Sequence, residues 1–249
     1  MIKDVKHIKD YYNNYYTDKL QSLFEKTLII QAFKPYENDM RQGKWLSNQM
    51  GIKGNEKILE CGCGVGGVMK QLKKIHPNID IQGINISDGQ VNMANKILKD
   101  FDNCDVSVGN FMKTNYKDNT FDVVYFCESM GYGDFEKTIN ESVRILKPNG
   151  KLYIKEIVTK CDEDKLSKKE LDNLNHFIDS WFYNVYDIKT IINKIEKIGG
   201  LKLIKNNRFV KPSIHWMNAV RKSELKKIHN AKWSNIPPLR GSDFLYKKN

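Results

Sequence analysis

Residues 58–67 of this chain read Ile-Leu-Glu-Cys-Gly-Cys-Gly-Val-Gly-Gly, and they decide the fold. A short apolar strand runs into the acidic residue Glu60 and then into a glycine-rich turn, and a helical pattern follows over Val65–Lys74. Gly62, Gly64 and Gly67 have the G-x-G-x-x-G spacing, which lets backbone approach a ligand closely where a strand gives way to a helix. The stretch therefore predicts a ligand-binding turn in an α/β fold.

Glu60 helps to choose the ligand. In a dinucleotide-binding fold the pyrophosphate sits on this turn and on the N-terminus of the helix. A carboxylate two residues before the first glycine would repel that anion. S-adenosylmethionine (SAM) carries an ammonium and a sulfonium, so Glu60 favours SAM over a nicotinamide dinucleotide. The alternative reading is a tight strand-to-helix turn that holds no ligand.

Strand and helix patterns alternate through the middle of the chain. The strand patterns are Lys57–Leu59, Ile79–Ile84, Asp105–Val108, Phe121–Phe126 and Leu152–Val158. The helical patterns between them are Val65–Lys74, Gly89–Phe101 and Phe135–Leu146. This alternation predicts βαβ units and a mostly parallel, doubly wound sheet. Two later segments, Leu201–Lys205 and Phe244–Tyr246, are expected to bring the sheet to seven strands.

The length of 249 residues fits one α/β domain with additions. We expect residues 1–50 to form an N-terminal helical cap and residues 51–249 to form the core. Within the core, residues 160–186 and 206–240 are expected to form lids over a site, because long insertions in compact domains tend to be functional. The second of these contains a predicted helix, Ser213–His229, before the last strand.

Composition limits the classes of function. No run of eighteen apolar residues occurs, and the charged N-terminus lacks the apolar segment of a signal peptide. The five cysteines are unevenly spaced and suggest neither a disulfide framework nor a metal site, so we expect a reducing, cytoplasmic setting. The net charge of +11 fits either an acidic partner or compositional drift, since Lys, Asn and Ile are abundant throughout, as an AT-rich genome would produce. Oligomeric state is left open.

Three motifs resemble those of the class I SAM-dependent methyltransferases. They are Glu60-x-Gly62-x-Gly64-x-Gly66, the strand Phe121–Tyr125 and the turn Leu146–Leu152, and they agree with the family in order and spacing. The resemblance implies a Rossmann-like sheet and SAM as the cofactor. It also implies that the first motif binds SAM through Glu60, Gly62, Cys63, Gly64 and Gly66.

The sequence departs from the family at two places. Asn85 stands at the end of the second strand, where the family usually has an acidic residue for the ribose hydroxyls, and an amide can both accept and donate there. Asn110 stands where an aspartate commonly meets the adenine amine, with Phe111 placed to lie against the ring. The cofactor-binding residues implied beyond the first motif are Asn85, Ile86, Gln90, Asn110, Phe111 and Cys127.

Short segments narrow the resemblance. Gly83–Gln90, Asn110–Met112 and Glu128–Met130 are similar to the branch that contains sterol, cyclopropane-fatty-acid and geranyl-diphosphate C-methyltransferases. This implies methyl transfer to a small molecule. One form of it is transfer to a carbon of a prenyl or lipid-like acceptor, and an anionic acceptor fits the basic charge of the chain. Transfer to oxygen or nitrogen is the alternative. An RNA methyltransferase and a methyltransferase fold without turnover are further alternatives, although Cys127–Met130 replaces the signature of nucleic-acid amine methylation.

The candidate catalytic residues are Glu128, His215 and Tyr132. Glu128 ends the fourth strand, and binding residues gather at the carboxyl ends of the strands in open sheets. If the acceptor is an alkene carbon, methylation leaves a carbocation, which a carboxylate and aromatic faces stabilise and a base must deprotonate. Candidate aromatic side chains are Tyr15, Tyr16, Tyr132, Trp181, Tyr183 and Trp216. Either His176 or His215 could be the base.

Overall fold

A computed structural model describes residues 5–13, 39–209 and 239–249. The helices are α1 (Val5–Tyr11), α2 (Asp39–Met50), α3 (Gly67–Ile75), α4 (Asp88–Leu98), α5 (Phe135–Ile145), α6 (Lys168–Trp181) and α7 (Ile188–Ile198). The strands are β1 (Lys57–Cys61), β2 (Asp80–Asn85), β3 (Cys104–Val108), β4 (Phe121–Cys127), β5 (Leu146–Thr159), β6 (Leu201–Phe209) and β7 (Leu239–Lys248). Single turns of 3₁₀ helix lie at Met130–Tyr132 and Glu163–Lys165.

The seven strands form one sheet in the order β3-β2-β1-β4-β5-β7-β6. Strands β1 to β5 run parallel, and β7 is antiparallel to both of its neighbours. This confirms the prediction of a doubly wound, mostly parallel, seven-stranded sheet. The order of strand addition reverses between β1 and β4: β2 and β3 lie on one side of β1, and β4 and β5 lie on the other. In folds of this kind the ligand-binding crevice lies at this point, outside the carboxyl ends of the strands.

Helices cover both faces of the sheet because the central strands are apolar on both sides. On one face, apolar residues of α2, α3 and α4 pack against alternate residues of the central strands. On the other face, α5 and α7 pack against the remaining strand residues. A third apolar cluster joins α6 to the end of β5 and to the start of β7, with Tyr11 and Tyr12 packed against it. This third cluster lies where the predicted crevice opens.

The predicted elements occur in the predicted order, and most boundaries differ by only a few residues. The larger difference is β5, which begins at Leu146 rather than Leu152, because Leu146 already pairs with Phe121 before the register shifts to Lys151 opposite Val123. Strand β6 continues to Phe209 and β7 begins at Leu239, so both ends of the segment predicted as a second lid belong to the sheet. The predicted helix Ser213–His229 lies outside the described residues.

The N-terminal region is helical where it is described. Helix α2 buries Leu46 and Met50 in the core, and α1 buries Ile8. Helix α7 ends at Ile198, and Gly199, with a φ of +81°, is its C-cap. Within the described ranges, no helix is both long enough and apolar enough to cross a membrane.

Candidate active site

A cavity of about 150 Å³ lies at the carboxyl ends of β1, β2, β4 and β5. Helices α1 and α6 close it from above the sheet. Its lining combines backbone of the glycine turn, a few polar side chains and many aromatic rings. The lining residues are Ile8, Tyr12, Gly62, Gly64, Asn85, Ile86, Gln90, Phe111, Cys127, Glu128, Ser129, Tyr132, Ile157, Phe177, Trp181 and Tyr183.

The glycine turn forms the floor of this cavity. The amide of Gly62 donates to the carbonyl of Ile84 on β2 (2.8 Å), which fixes the turn to the neighbouring strand. Gly64 has a φ of +56°, and a Cβ built there would meet no atom within 4 Å. Because Gly64 has no side chain, the space beside its backbone stays open, and a ligand can approach the backbone there. Gly66 and Cys63 belong to the same turn but do not line the cavity.

Glu60 lies in the interior of the sheet rather than on the cavity wall. Its side chain is 2% exposed, and its carboxylate accepts a hydrogen bond from the hydroxyl of Tyr125 on β4 (2.7 Å). Burial raises the pKa of Glu60 to about 8, and the hydrogen bond from Tyr125 opposes that rise only in part. The structure thus brings Glu60 next to the turn, on the strand that leads into it, without direct access to the cavity.

Asn85 and Gln90 occupy the end of β2 and the first turn of α4. The Asn85 amide donates to the Gln90 carbonyl oxygen (2.8 Å), and Asn85 Oδ1 accepts from the amide of Ser87 (3.0 Å). Ser87 is itself the N-cap of α4. These bonds hold both amide side chains at the cavity wall.

A smaller cavity of about 30 Å³ continues from the main one past Phe111 and Ile86. Asn110 lines this second space, and its side-chain oxygen accepts from the amide of Met112 (2.9 Å). Phe111 lines both spaces and packs edge to face against Phe126, with ring centroids 5.4 Å apart. An apolar ring beside an amide is a suitable setting for a flat heteroaromatic group.

Glu128 lies at the cavity with an unusual backbone conformation. Its φ of +55° is uncommon for a residue other than glycine. Its carboxylate lies 2.6 Å from the ammonium of Lys155 on β5, and the two side chains are 5% and 0% exposed. Because such strain persists only where the surroundings enforce it and gathers at functional sites, the conformation marks Glu128 as a candidate site residue.

A second buried carboxylate, Glu156, stands beside this ion pair. Glu156 is 3% exposed and accepts hydrogen bonds from the amides of Ser129 (2.9 Å) and Met130 (2.8 Å). Its other oxygen accepts from the hydroxyl of Tyr183. Burial raises the pKa of Glu156 to about 7, and the nearby charge of Glu128 adds to the rise while the three hydrogen bonds oppose it.

Aromatic side chains form the rest of the wall. Tyr132 packs edge to face against Tyr183 (4.7 Å between centroids) and accepts a hydrogen bond from the hydroxyl of Tyr12 (2.5 Å). Phe177 and Trp181 reach the cavity from α6. The predicted candidates Tyr132, Trp181 and Tyr183 therefore meet at one site.

Other predicted residues are placed differently. His176 is exposed on α6 and does not line the cavity. Cys127 lines the cavity, and burial raises the pKa of its thiol well above the usual value, so the thiol is neutral. The candidates Tyr15, Tyr16, His215 and Trp216 lie outside the described residues.

Five lining residues were not predicted from the sequence, namely Ile8, Tyr12, Ser129, Ile157 and Phe177, and neither was the buried Glu156 beside the cavity. Glu156 carried a usable signal, since an acidic residue in the middle of a strand with the pattern of a buried one needs partners to be tolerated. The contribution of α1 carried no such signal, because its approach to the cavity depends on tertiary packing.

Comparison with known proteins agrees with this geometry. A family model described as a methyltransferase domain matches residues 52–228. A sterol 24-C-methyltransferase of Aspergillus fumigatus is 34% identical over 119 residues, which are 46% of this chain and 31% of that protein. The matched stretch therefore spans about a third of that relative's length.

Two solved structures are similar over nearly the whole chain. A geranyl diphosphate C-methyltransferase from Streptomyces coelicolor A3(2), in complex with Mg²⁺, geranyl-S-thiolodiphosphate and S-adenosyl-L-homocysteine, has a TM-score of 0.78 at 14% identity and covers 98% of each chain. The [4+2]-cyclase SpnF has a TM-score of 0.79 at 15% identity, with 99% of this chain and 97% of that one covered. These likenesses establish the fold, and the family match covers more than half of the sequence. The chain belongs to the methyltransferase domain family.

Proposed function

We propose that this protein is a SAM-dependent methyltransferase that methylates a small apolar molecule, with a carbon of a lipid-like or prenyl group as the acceptor. One observation carries the proposal. The glycine turn, a wall of aromatic rings and the carboxylate of Glu128 open on the same cavity, and the buried Glu156 accepts a hydrogen bond from Tyr183 in that wall. A donor-binding turn and an acceptor-binding wall are thereby within reach of each other.

The residues on the donor side fit SAM. The open space at Gly64 admits a ligand against the backbone, Asn85 and Gln90 offer amides at the end of β2, and Phe111 with Asn110 provides a flat apolar slot. SAM, when bound, supplies an electrophilic methyl group on a positively charged sulfur. Because that transfer is an in-line displacement, the protein's task is to position the acceptor and exclude water.

The acceptor side favours a carbon acceptor. Tyr12, Tyr132, Phe177, Trp181 and Tyr183 present rings to the cavity, and ring faces attract a cation. Methylation of an alkene creates such a cation, whereas methylation of a hydroxyl does not. Relatives with sterol C-methyltransferase names support the same choice.

The charge of the lining favours an acceptor whose reacting end is uncharged. Among the described lining residues, Glu128 is the one charged side chain, and none is lysine or arginine. The buried Lys155 is already paired with Glu128. The reacting end of a substrate would therefore meet aromatic rings and the carboxylate of Glu128, which suit an apolar chain and a transient positive charge.

The test is a methyl-transfer assay with the full chain and SAM labelled in its methyl group. Geranyl diphosphate and desmosterol serve as alkene probes, and a phenol and a primary amine serve as heteroatom probes. We expect label in an alkene product. Label only in the phenol or amine would overturn carbon methylation, and the absence of SAM binding below about a millimolar would overturn the whole proposal.

A further inference from the structure

We propose that Tyr183 is the catalytic residue that takes the proton from the methylated substrate, and that Glu156 is the positioning residue that receives the phenolic proton of Tyr183. This inference rests on the proposed function, because it assigns a residue to the deprotonation that follows carbon methylation. It departs from the expectation that Glu128 or a histidine is the base.

The geometry places Tyr183 between the cavity and Glu156. The Tyr183 ring lines the cavity, while its hydroxyl donates to one oxygen of Glu156. Glu156 does not line the cavity and has its other oxygen fixed by the amides of Ser129 and Met130. A proton that reaches Glu156 from the cavity would therefore pass through the Tyr183 hydroxyl.

Tyr183 is held rigidly by the backbone around it. A Cβ built at Gly131 would lie 2.4 Å from Cε1 of Tyr183, so only glycine lets the ring pack this closely. The amide of Asn184 donates to the carbonyl of Gly131 (2.8 Å), which ties the residue after Tyr183 to the same turn. Phe182, with a φ of +54°, ends α6 and turns Tyr183 toward the cavity.

Glu128 is less suited to accept the proton. Its carboxylate is paired with the ammonium of Lys155 at 2.6 Å, and both side chains are buried. Protonation of Glu128 would leave the buried ammonium without a counter-charge, which is costly. In the described part of the chain, Glu156 has hydrogen-bond donors as partners and forms no ion pair with lysine or arginine, so its protonation leaves no such charge behind.

The proposed step balances. After methyl transfer to an alkene carbon, the neighbouring carbon is positively charged. An adjacent C–H bond breaks, and its electron pair forms the new alkene. The proton passes to Oη of Tyr183 as the hydroxyl proton of Tyr183 passes to Oε2 of Glu156. The product is a methylated alkene, and Glu156 returns the proton through Tyr183 to water after the product has left.

The titration of Glu156 suits this role. The titratable groups that act on it are Tyr183, which donates a hydrogen bond to it, Glu128 at the end of β4, and the neutral thiol of Cys127. With a pKa of about 7, Glu156 can be ionised before the reaction and protonated after it near neutral pH.

The experiment compares wild type with Tyr183→Phe, Glu156→Gln and the control Tyr186→Phe. Tyr186 is a half-buried tyrosine three residues further on that packs against Phe135 and does not line the cavity. We expect Tyr183→Phe to lower kcat for the labelled alkene product by roughly 100-fold or more, as for loss of a general base. The control should keep kcat within about threefold, and the Kd for SAM should change by less than about twofold in all variants.

The pH profile separates this role from a structural one. In wild type, kcat should rise through pH 7 as Glu156 ionises, and this limb should be absent in Glu156→Gln. An unchanged limb in Glu156→Gln, or nearly full kcat in Tyr183→Phe, would overturn the inference. A wild-type protein that transfers no methyl to any probe would instead overturn the proposed function.

A measurement without turnover covers the case in which the variants fold poorly. Nuclear magnetic resonance of wild-type protein with ¹³C-labelled glutamate side chains should show a carboxyl that titrates near pH 7 and whose titration shifts when the alkene probe and S-adenosylhomocysteine are added together. Absence of any glutamate that responds to the two ligands would count against Tyr183 and Glu156.

Discussion

Glu60 and Glu156 are both carboxylates in the interior of the sheet, but the fold uses them differently. Glu60 accepts one hydrogen bond from a tyrosine and does not line the cavity. Glu156 accepts three hydrogen bonds, one of them from a tyrosine that lines the cavity. In each case burial raises the pKa, because the charged form loses its hydration.

The raised pKa of Glu60 predicts how stability depends on pH. The pKa of Glu60 is about 8 in the folded protein against an ordinary value of 4.5, so the folded state binds an extra proton between these two pH values. The stabilisation that this proton provides is fully present below pH 4.5 and is lost as the pH rises through 8. Wild type should therefore lose roughly 3–5 kcal/mol of unfolding free energy relative to Glu60→Gln between pH 5 and pH 9.

Urea unfolding of the two proteins across this pH range makes the measurement. The exposed residue Glu136 on α5 supplies the control, since Glu136→Gln removes a carboxylate that is in contact with solvent. The control should follow wild type at every pH. A difference between wild type and Glu60→Gln that does not change with pH would contradict the burial of an uncompensated carboxylate at position 60.

The sequence could predict where Glu60 lies along the chain, but not which side chain it contacts. Its proximity to the glycine turn follows from adjacency in sequence. Its hydrogen bond to Tyr125 does not, because the two residues are 65 positions apart and meet only when β1 pairs with β4. The same limit applies to Glu156 and Tyr183, whose pairing depends on how α6 ends.

At the scale of elements, α6 carries two rings of the aromatic wall. It begins at a capping box, in which Ser167 accepts from the amide of Glu170 while the Glu170 side chain accepts from the amide of Ser167. Leu174, Phe177 and Trp181 are its buried residues. The cap therefore stabilises the helix that positions Phe177 and Trp181 at the cavity.

Removal of the cap should loosen this wall. We expect Ser167→Ala to lower the free energy of unfolding by about 1 kcal/mol, because amides of the first turn lose their acceptor. Lys169→Ala, an exposed change in the same turn, should have little effect. Thermal unfolding gives the stability, and faster hydrogen exchange at the amide of Glu170 would locate the change. Equal stability of the two variants would contradict the role of the cap.

The elements themselves were largely predictable, because periodic apolar patterns and breakers between them specify strands and helices locally. Strands β1 to β4 and helix α5 lie within a few residues of their predicted bounds. The early start of β5 was not predictable, because Lys147–Gly150 reads as a turn and is carried within the strand by a shift in register. The closure of the cavity by α1 depends on contacts that no local pattern encodes.

At the scale of the whole molecule, the sheet order explains why distant motifs act together. Strands β1, β2, β4 and β5 are adjacent and parallel, so their carboxyl ends meet at one edge. Four separate segments of the chain contribute to this edge: Gly62 follows β1, Asn85 ends β2, Glu128 follows β4, and Glu156 lies in the last part of β5. The resemblance of three short motifs to one family implied this arrangement, and the family match confirms the fold.

The central claim is that the cavity over the glycine turn binds SAM, and Gly64→Ala tests it. The added methyl group would enter the open space at Gly64, where the φ of +56° also disfavours a side chain. Gly199→Ala is a matched control, because Gly199 has a φ of +81°, also has no atom within 4 Å of its built Cβ, and caps α7 away from the cavity. Backbone strain of roughly 1–3 kcal/mol is expected in both variants.

Calorimetric titration of SAM into wild type, Gly64→Ala and Gly199→Ala, at a temperature at which all three are folded, makes the comparison. We expect wild type and Gly199→Ala to bind SAM with similar Kd, and Gly64→Ala to bind at least about tenfold more weakly, a loss of about 1.4 kcal/mol. SAM binding that is equally strong in Gly64→Ala, or undetectable in wild type up to about a millimolar, would contradict it.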